Sequence, residues 1–375
     1  MTNSREDRVE AAEAAEATEI TVVRGFRVPW CRTLKRAASL LAFALVVHLF
    51  VIPQLGGARE ALSAVGSVDP YFLAAATGLY ALALLVYARL TWLLLPAGVR
   101  PSLSIVFGTI LAATGVNHVV PGGAATTAAV NYRLLGAAGV PRDALGVALG
   151  LQAIGSAVVL NAILWIALAI SIPTRGFNPV FATAAGIGAI LVLAFGAAVI
   201  ALRCGRVRFA DGLVRVLGKI PKVTDDRVRH GVETAAKQVD VLAEDRAKLM
   251  AVLSYAAANW LFDAAALWVA LLAFGTSPGL VGLLVAYGLA NVLAVLPLSP
   301  GGLGVVEAVL IPTLIGFGVP PAEAAVGVVA YRLISFWLPI PVGAVAYAVV
   351  THTNGHMRHM RHEIDHQFEM QASAA

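Results

Sequence analysis

The sequence is poor in charge and in cysteine. Asp, Glu, Lys and Arg make up 13% of its 375 residues, about half the share of a soluble globular domain, which argues against a water-soluble enzyme. The two cysteines, Cys31 and Cys204, support neither a disulfide framework nor a cysteine-based metal centre. No Walker loop, Gly-x-Ser-x-Gly elbow or His-Glu-x-x-His occurs, so nothing points to transport driven by nucleotide hydrolysis or to a common hydrolase. No cofactor is called for, and no enzymatic activity is expected. What fills the chain is apolar: 59% hydrophobic residues and a mean hydropathy of +0.81. The bilayer, not water, is its solvent.

The sparse charge is confined. Residues 1–20 carry Glu6, Asp7, Glu10, Glu13, Glu16 and Glu19 against Arg5 and Arg8, a composition expected to form a disordered acidic tail. Arg24, Arg27, Arg32, Lys35 and Arg36 then abut the apolar run 37–55. A cleaved signal peptide begins closer to the first Met, so this run reads as a retained anchor preceded by a cytoplasmic tail, 1–36. The loop 203–248 is also basic, with Arg206, Arg208, Arg215, Lys219 and Lys222 interleaved with apolar residues. It fits an interfacial helix, and equally an ordinary positive-inside anchor. A net charge of +5 clustered beside the membrane suits anionic phospholipid better than nucleic acid.

A spanning helix needs about 20 mostly apolar residues. Candidates are 37–55, 71–95, 143–171, 179–202, 247–274 and 321–349. Two further stretches, 101–138 and 280–317, are broken near their centres by Pro121-Gly122-Gly123 and Pro300-Gly301-Gly302. Each reads as a helical hairpin that enters the membrane and turns back, with these residues at its tip; such backbone is tolerated at depth only inside protein or a water-filled cavity. An offset of 179 superimposes the two Pro-Gly-Gly tips, and also Gly139-Val140-Pro141 on Gly318-Val319-Pro320, without a gap. The expected fold is therefore an all-α polytopic membrane protein of about six full spans plus two broken hairpins. The repeats are 37–171 and 179–350, and 351–375 forms a His-rich cytoplasmic tail.

Lys and Arg bias sets the orientation. With 24–36 and 203–248 in the cytoplasm, Arg59 and Arg175 are the basic residues left in outside loops, both termini are cytoplasmic, and the repeats are inverted. Inverted repeats with broken helices are a recurring plan of transporters.

Ionisable residues at bilayer depth are expensive, at least ~2.5–3.5 kcal/mol each on insertion scales. Three stand out: Asp263 in span 247–274, Glu307 on the returning arm of the second hairpin, and Arg332 in span 321–349. Glu307 and Arg332 form the favoured pair. They either fix the hairpin against its neighbour or present Arg332 to a lipid phosphate, which a guanidinium grips bidentately. Around the first break lie Asn117, His118, Thr126, Thr127, Asn131, Tyr132 and Arg133. A half-helix starting at Gly123 or Ala124 would aim its unpaired N–H groups at an anionic headgroup, though the same residues also serve a capped tight turn with Arg133 snorkelling to the surface. His48, Gln152, Ser156 and Asn161 read as packing or interhelical hydrogen bonding, and Asn259, Asn291 and Ser299 read the same way or as a polar path. His352, His356, His359, His362 and His366 form a solvated basic tail sooner than a metal site.

The run from Pro297 to Glu307, followed by Gly318-Val319-Pro320 and by Tyr331-Arg332 through Pro339, resembles the signature of the lysylphosphatidylglycerol synthase transmembrane-region family. The resemblance implies a multispan flippase domain that moves an aminoacylated phospholipid to the outer leaflet, in the best-known members fused to a soluble aminoacyl-transferase. With about 25 residues beyond the last span, the expectation is a stand-alone flippase-like protein of the cell membrane. On this reading Glu307, Arg332, Asp263, Arg133, Asn117 and Tyr331 meet a phospholipid headgroup, anionic or aminoacylated. The alternatives are an ion-coupled carrier of a small anion, supported by Asp263, and a non-transporting subunit that presents lipid to a separate lipid-modifying enzyme. Self-association into a homo-oligomer is compatible with each.

Overall fold

Apolar runs become helices because no water is present to satisfy a free backbone N–H or C=O in the hydrocarbon, and every regular element among the described residues is helical. The structure is a computed structural model. It describes residues 70–120, 123–175, 204–217, 225–294 and 299–355, with scattered positions in 189–201. All belong to one unit, Ala58–Ala375. The expected anchor 37–55, the acidic tail, His48, Pro121, Gly122 and residues 356–375 lie outside the described residues, as does most of the expected span 179–202.

The helices are α1 (Pro70–Leu94), α2 (Leu103–Val119), α3 (Gly123–Ala137), α4 (Arg142–Arg175), α5 (Arg206–Leu217), α6 (Asp225–Glu244), α7 (Arg246–Leu272), α8 (Leu280–Ala294), α9 (Val305–Gly316) and α10 (Pro321–Gly355). Four of them, α1, α4, α7 and α10, are long and apolar enough to cross a membrane, and α2, α8 and α9 are shorter apolar helices. The protein is thus an all-α polytopic membrane protein. The hairpins are α2–α3 and α8–α9. Helix α10 continues to Gly355, so residues 351–355, expected in the tail, form its last turn.

The offset of 179 carries α1 onto α7, α2 onto α8, α3 onto α9 and α4 onto α10, and the correspondence extends to single hydrogen bonds. Helix α3 ends with Gly139 N–H donating to Gly136 O and Val140 N–H donating to Leu135 O; α9 ends with Gly318 N–H donating to Ile315 O and Val319 N–H donating to Leu314 O. This is the Schellman closure, which needs a left-handed residue. Gly139 and Gly318 supply it at φ 98° and 93°. The flanking Leu135, Val140, Leu314 and Val319 are all buried. Pro141 and Pro320 then stop the old helix and open the next.

The two copies run in opposite directions. Ala76 and Tyr80, near the start of α1, share a buried cluster with Ala264, Leu267 and Leu271 near the end of α7. Ala88 and Leu90, near the end of α1, share a second cluster with Val252 and Ala256 near the start of α7. Helices α1 and α7 are therefore antiparallel partners at the centre of the bundle. Each hairpin packs against the long helix of the other repeat: α2 against α10, and α8 against α4. In lipid, close van der Waals packing replaces the hydrophobic drive, so small residues mark such seams. A Cβ placed on Gly115 would fall 2.7 Å from Pro339 O, and one on Gly343 would fall 2.6 Å from Leu111 O.

The basic loop contains two amphipathic helices. Val232, Ala236 and Val239 of α6 are buried, and Arg229 on α6 pairs with Asp211 on α5 at 2.6 Å.

Candidate functional site

Helix α10 is interrupted by a π turn, Leu333–Trp337, closed by Leu338 N–H donating to Leu333 O at 2.9 Å. Pro339 and Pro341 offer no N–H, so Ser335 O and Trp337 O, four residues earlier, lose their α-helical donors. Neighbouring helices bond carbonyls of this turn. Tyr80 of α1 donates its hydroxyl to Ser335 O at 3.0 Å, and the His118 Nδ1 of α2 lies 2.9 Å from Phe336 O. A carbonyl only accepts, so Nδ1 carries the hydrogen. The His118 ring also stacks on Phe336, with centroids 4.5 Å apart.

Arg332 immediately precedes this turn. It is 7% exposed, and a guanidinium so deeply buried requires partners. Its Nε donates to Glu307 Oε1 at 2.7 Å, its Nη2 reaches Gly301 O at 3.4 Å, and its Cζ lies over the Phe336 ring, 4.8 Å from the centroid. Glu307 is held from the other side as well: it sits in the first turn of α9, where its Oε2 accepts the otherwise unpaired N–H of Gly304 at 2.7 Å. The Pro300–Gly302 tip forms a single 3₁₀ turn in which Gly301 has φ 54°. A Cβ there would meet His118 Cδ2 at 2.5 Å and Phe336 Cε2 at 2.7 Å. The second hairpin's tip is thus seated on the first hairpin's end, with the ion pair beneath it.

Asp263 completes the centre from α7. Its carboxylate accepts from Tyr287 of α8 at 2.6 Å and from Tyr331 of α10 at 2.9 Å. Its hydrogen bonds go to tyrosines, and Arg332 is one residue further along α10. Asn117 Oδ1, Ser299 Oγ and Ser335 Oγ are buried polar atoms with no hydrogen-bond partner. All three belong to segments that converge on the tip.

The structure therefore gathers Glu307, Arg332, Asp263, Tyr331, Gly301 and the segment bearing Asn117. Arg133 is elsewhere: it lies at the far end of α3 and lines a separate cavity with Arg142, Thr351 and Asn354. Gly123 begins α3. Gln152 and Asn161 act as interhelical and local hydrogen-bonding groups, Gln152 donating to Thr91 Oγ1 at 2.6 Å and Asn161 to Ala157 O at 2.9 Å. Sequence reasoning passed over Tyr80, Tyr287 and Phe336. The signal available was a tyrosine inside an otherwise apolar span, whose hydroxyl must find an acceptor when buried.

The site lacks the scaffold's symmetry. Removing 179 from Asp263, Tyr287, Glu307, Tyr331 and Arg332 gives Leu84, Gly108, Ala128, Gln152 and Ala153. One repeat carries the charges and its twin carries small or neutral residues, so the fold does not demand them.

A family model described as the lysylphosphatidylglycerol synthase transmembrane region matches residues 36–343. The chain belongs to that family. The match covers the first repeat, the second as far as residue 343, and every residue of the central site. Among curated relatives, a UPF0104 membrane protein of Methanothermobacter thermautotrophicus is 28% identical over 120 residues, 32% of this chain and 36% of the relative. Another match of the same description and organism is 27% identical over 339 residues, 84% of this chain and 94% of the relative. The chain thus spans about a third of the first relative's length and nearly all of the second's.

Proposed function

We propose that this protein is a lipid translocase that moves a phospholipid or lipid-linked headgroup between leaflets of the cytoplasmic membrane, with both termini in the cytoplasm. The observation that carries the reading is the Arg332–Glu307 pair locked under the Pro300–Gly302 tip. A buried ion pair with a neighbouring carbonyl, an aromatic face and unpartnered polar atoms is a site that a headgroup phosphate can enter by exchange. The phosphate replaces Glu307 on the guanidinium, and the freed carboxylate meets the ammonium or hydroxyl of the headgroup. Two hairpins meeting tip to end between inverted repeats support alternating access, because tilting one hairpin opens the centre to one leaflet and tilting the other opens it to the opposite leaflet. The site is assigned no bond-making role.

The test is leaflet exchange of fluorescent anionic, zwitterionic and polyprenyl lipids in proteoliposomes. Exchange of at least one class above protein-free liposomes, abolished by Arg332→Ala, is expected; no acceleration for any class overturns the proposal. Asp263 favours a second reading, an ion-coupled carrier of a small anion, because a carboxylate gripped by two tyrosine hydroxyls can release them on taking a proton. Anion uptake that collapses in Asp263→Asn while lipid exchange is absent would select it. Tight copurification with a lipid-modifying enzyme, with neither activity alone, would select a lipid-presenting subunit.

A further inference from the structure

A second polar cavity of about 530 Å³ lies away from the central site, between the end of α3, the start of α4 and the last turn of α10. Tyr132, Arg133, Arg142, Thr351 and Asn354 line it together with apolar groups, and among the described residues no carboxylate lines it. Arg133 and Arg142 line the same hollow, and among the described residues no counter-ion lines it with them, which leaves a positive potential at its wall. Acceptors stand beside them. Thr351 donates its hydroxyl hydrogen back to Tyr347 O at 2.8 Å, so its remaining hydrogen-bonding capacity is as an acceptor. Asn354 is 3% exposed; its Nδ2 donates to Leu134 O at 3.1 Å and its Oδ1 has no partner.

The repeat provides an internal control. In the second copy the positions of Tyr132, Arg133 and Arg142 are Ile311, Pro312 and Pro321, yet the same Schellman closure forms there. The cations and the phenol are therefore not needed to fold this corner. Snorkelling anchors would also tolerate this place in the sequence, but anchors have no use for a shared concave wall or for a buried amide lacking a partner.

We infer that this cavity binds a phosphate ester whose substituent carries hydroxyl or ammonium hydrogens. The phosphate lies between Arg133 and Arg142, and the donors turn toward Thr351 and Asn354. A membrane lipid's headgroup and a soluble phosphate ester share this chemistry. The inference concerns binding and is independent of whether the central site translocates anything.

The experiment uses the full chain in nanodiscs of phosphatidylcholine and measures affinity by calorimetry for inorganic phosphate, glycerol 3-phosphate and glycerol. A parallel series adds phosphatidylglycerol to the nanodisc and reads thermal stabilisation. Glycerol 3-phosphate should bind more tightly than inorganic phosphate, and glycerol should not bind. Each of Arg133→Ala and Arg142→Ala should weaken binding about tenfold, the loss of one charge-assisted contact. The double Lys variant, which keeps the charge and guards against a folding artefact, should retain part of the affinity. Binding of the soluble ester identifies a free ligand as a sufficient source; stabilisation by phosphatidylglycerol alone, lost in the double Ala variant, identifies the lipid headgroup. Equal responses in the wild type and the double Ala variant, or none to any phosphate probe, overturn the inference.

Discussion

Glu307 holds two structures at once: one carboxylate oxygen takes the Arg332 Nε at 2.7 Å, and the other takes the Gly304 amide at 2.7 Å at the start of α9. The same side chain therefore caps the returning arm of the second hairpin and neutralises the buried cation of α10.

Breaking this pair from one side leaves an uncompensated buried charge. Arg332→Ala and Glu307→Ala should each destabilise the protein by roughly 3–5 kcal/mol. The double substitution should lose less than the sum. Thermal unfolding in detergent for the full double-mutant cycle measures the coupling, and strict additivity would show that the two groups do not interact.

Asp263→Asn substitutes an amide for an acceptor that serves two hydroxyls. Tyr287→Phe and Tyr331→Phe each remove one donor and should destabilise by about 0.5–3 kcal/mol. In the Asn variant one tyrosine must reorient or go unsatisfied, so adding either Phe substitution to Asp263→Asn should have a smaller effect than in the wild type. The same unfolding assay reads this difference.

Gly318 has open space where a Cβ would sit, so substitution there reports backbone strain alone, and Gly139 shares its left-handed conformation. Gly139→Ala and Gly318→Ala should each lower stability by roughly 1–2 kcal/mol through the left-handed conformation. The two effects should be alike because the closures match bond for bond. Widely different values would mean that the two turns are not equivalent in the folded protein.

Gly115→Ala and Gly343→Ala test the seam between α2 and α10, where an added methyl meets backbone rather than a mobile side chain. Overpacking of this kind typically costs about 1–3 kcal/mol. Gly98→Ala, at a position with nothing within 4 Å, is the control expected to leave unfolding unchanged.

The membrane orientation has a direct readout in Cys204, which is exposed. In a Cys31→Ser background, an impermeant maleimide should label Cys204 in inverted vesicles and not in right-side-out cells. Labelling from the outside would reverse the positive-inside assignment.

Sequence alone determined the class of molecule and its repeat. Apolar length dictates helices because lipid offers the backbone no other partners, and the 179-residue offset between the two Gly-Val-Pro tripeptides marks two turns whose closure only a left-handed residue permits. It also singled out Asp263, Glu307 and Arg332, since charge at that depth cannot be incidental. The partners were decided by the tertiary structure. Tyr80 and Tyr287 are far in sequence from Ser335 and Asp263, and no periodicity announces that α1 and α8 bring their hydroxyls to α10 and α7. Nor does sequence separate Arg133 from Arg332: both are arginines near a helix break, and only the packing of α10's last turn against α3 puts Arg133 in a different cavity. Local rules set which residues are helical and which are costly to bury. Which costly group meets which partner depends on how inverted copies interlock, and that is a property of the assembled bundle.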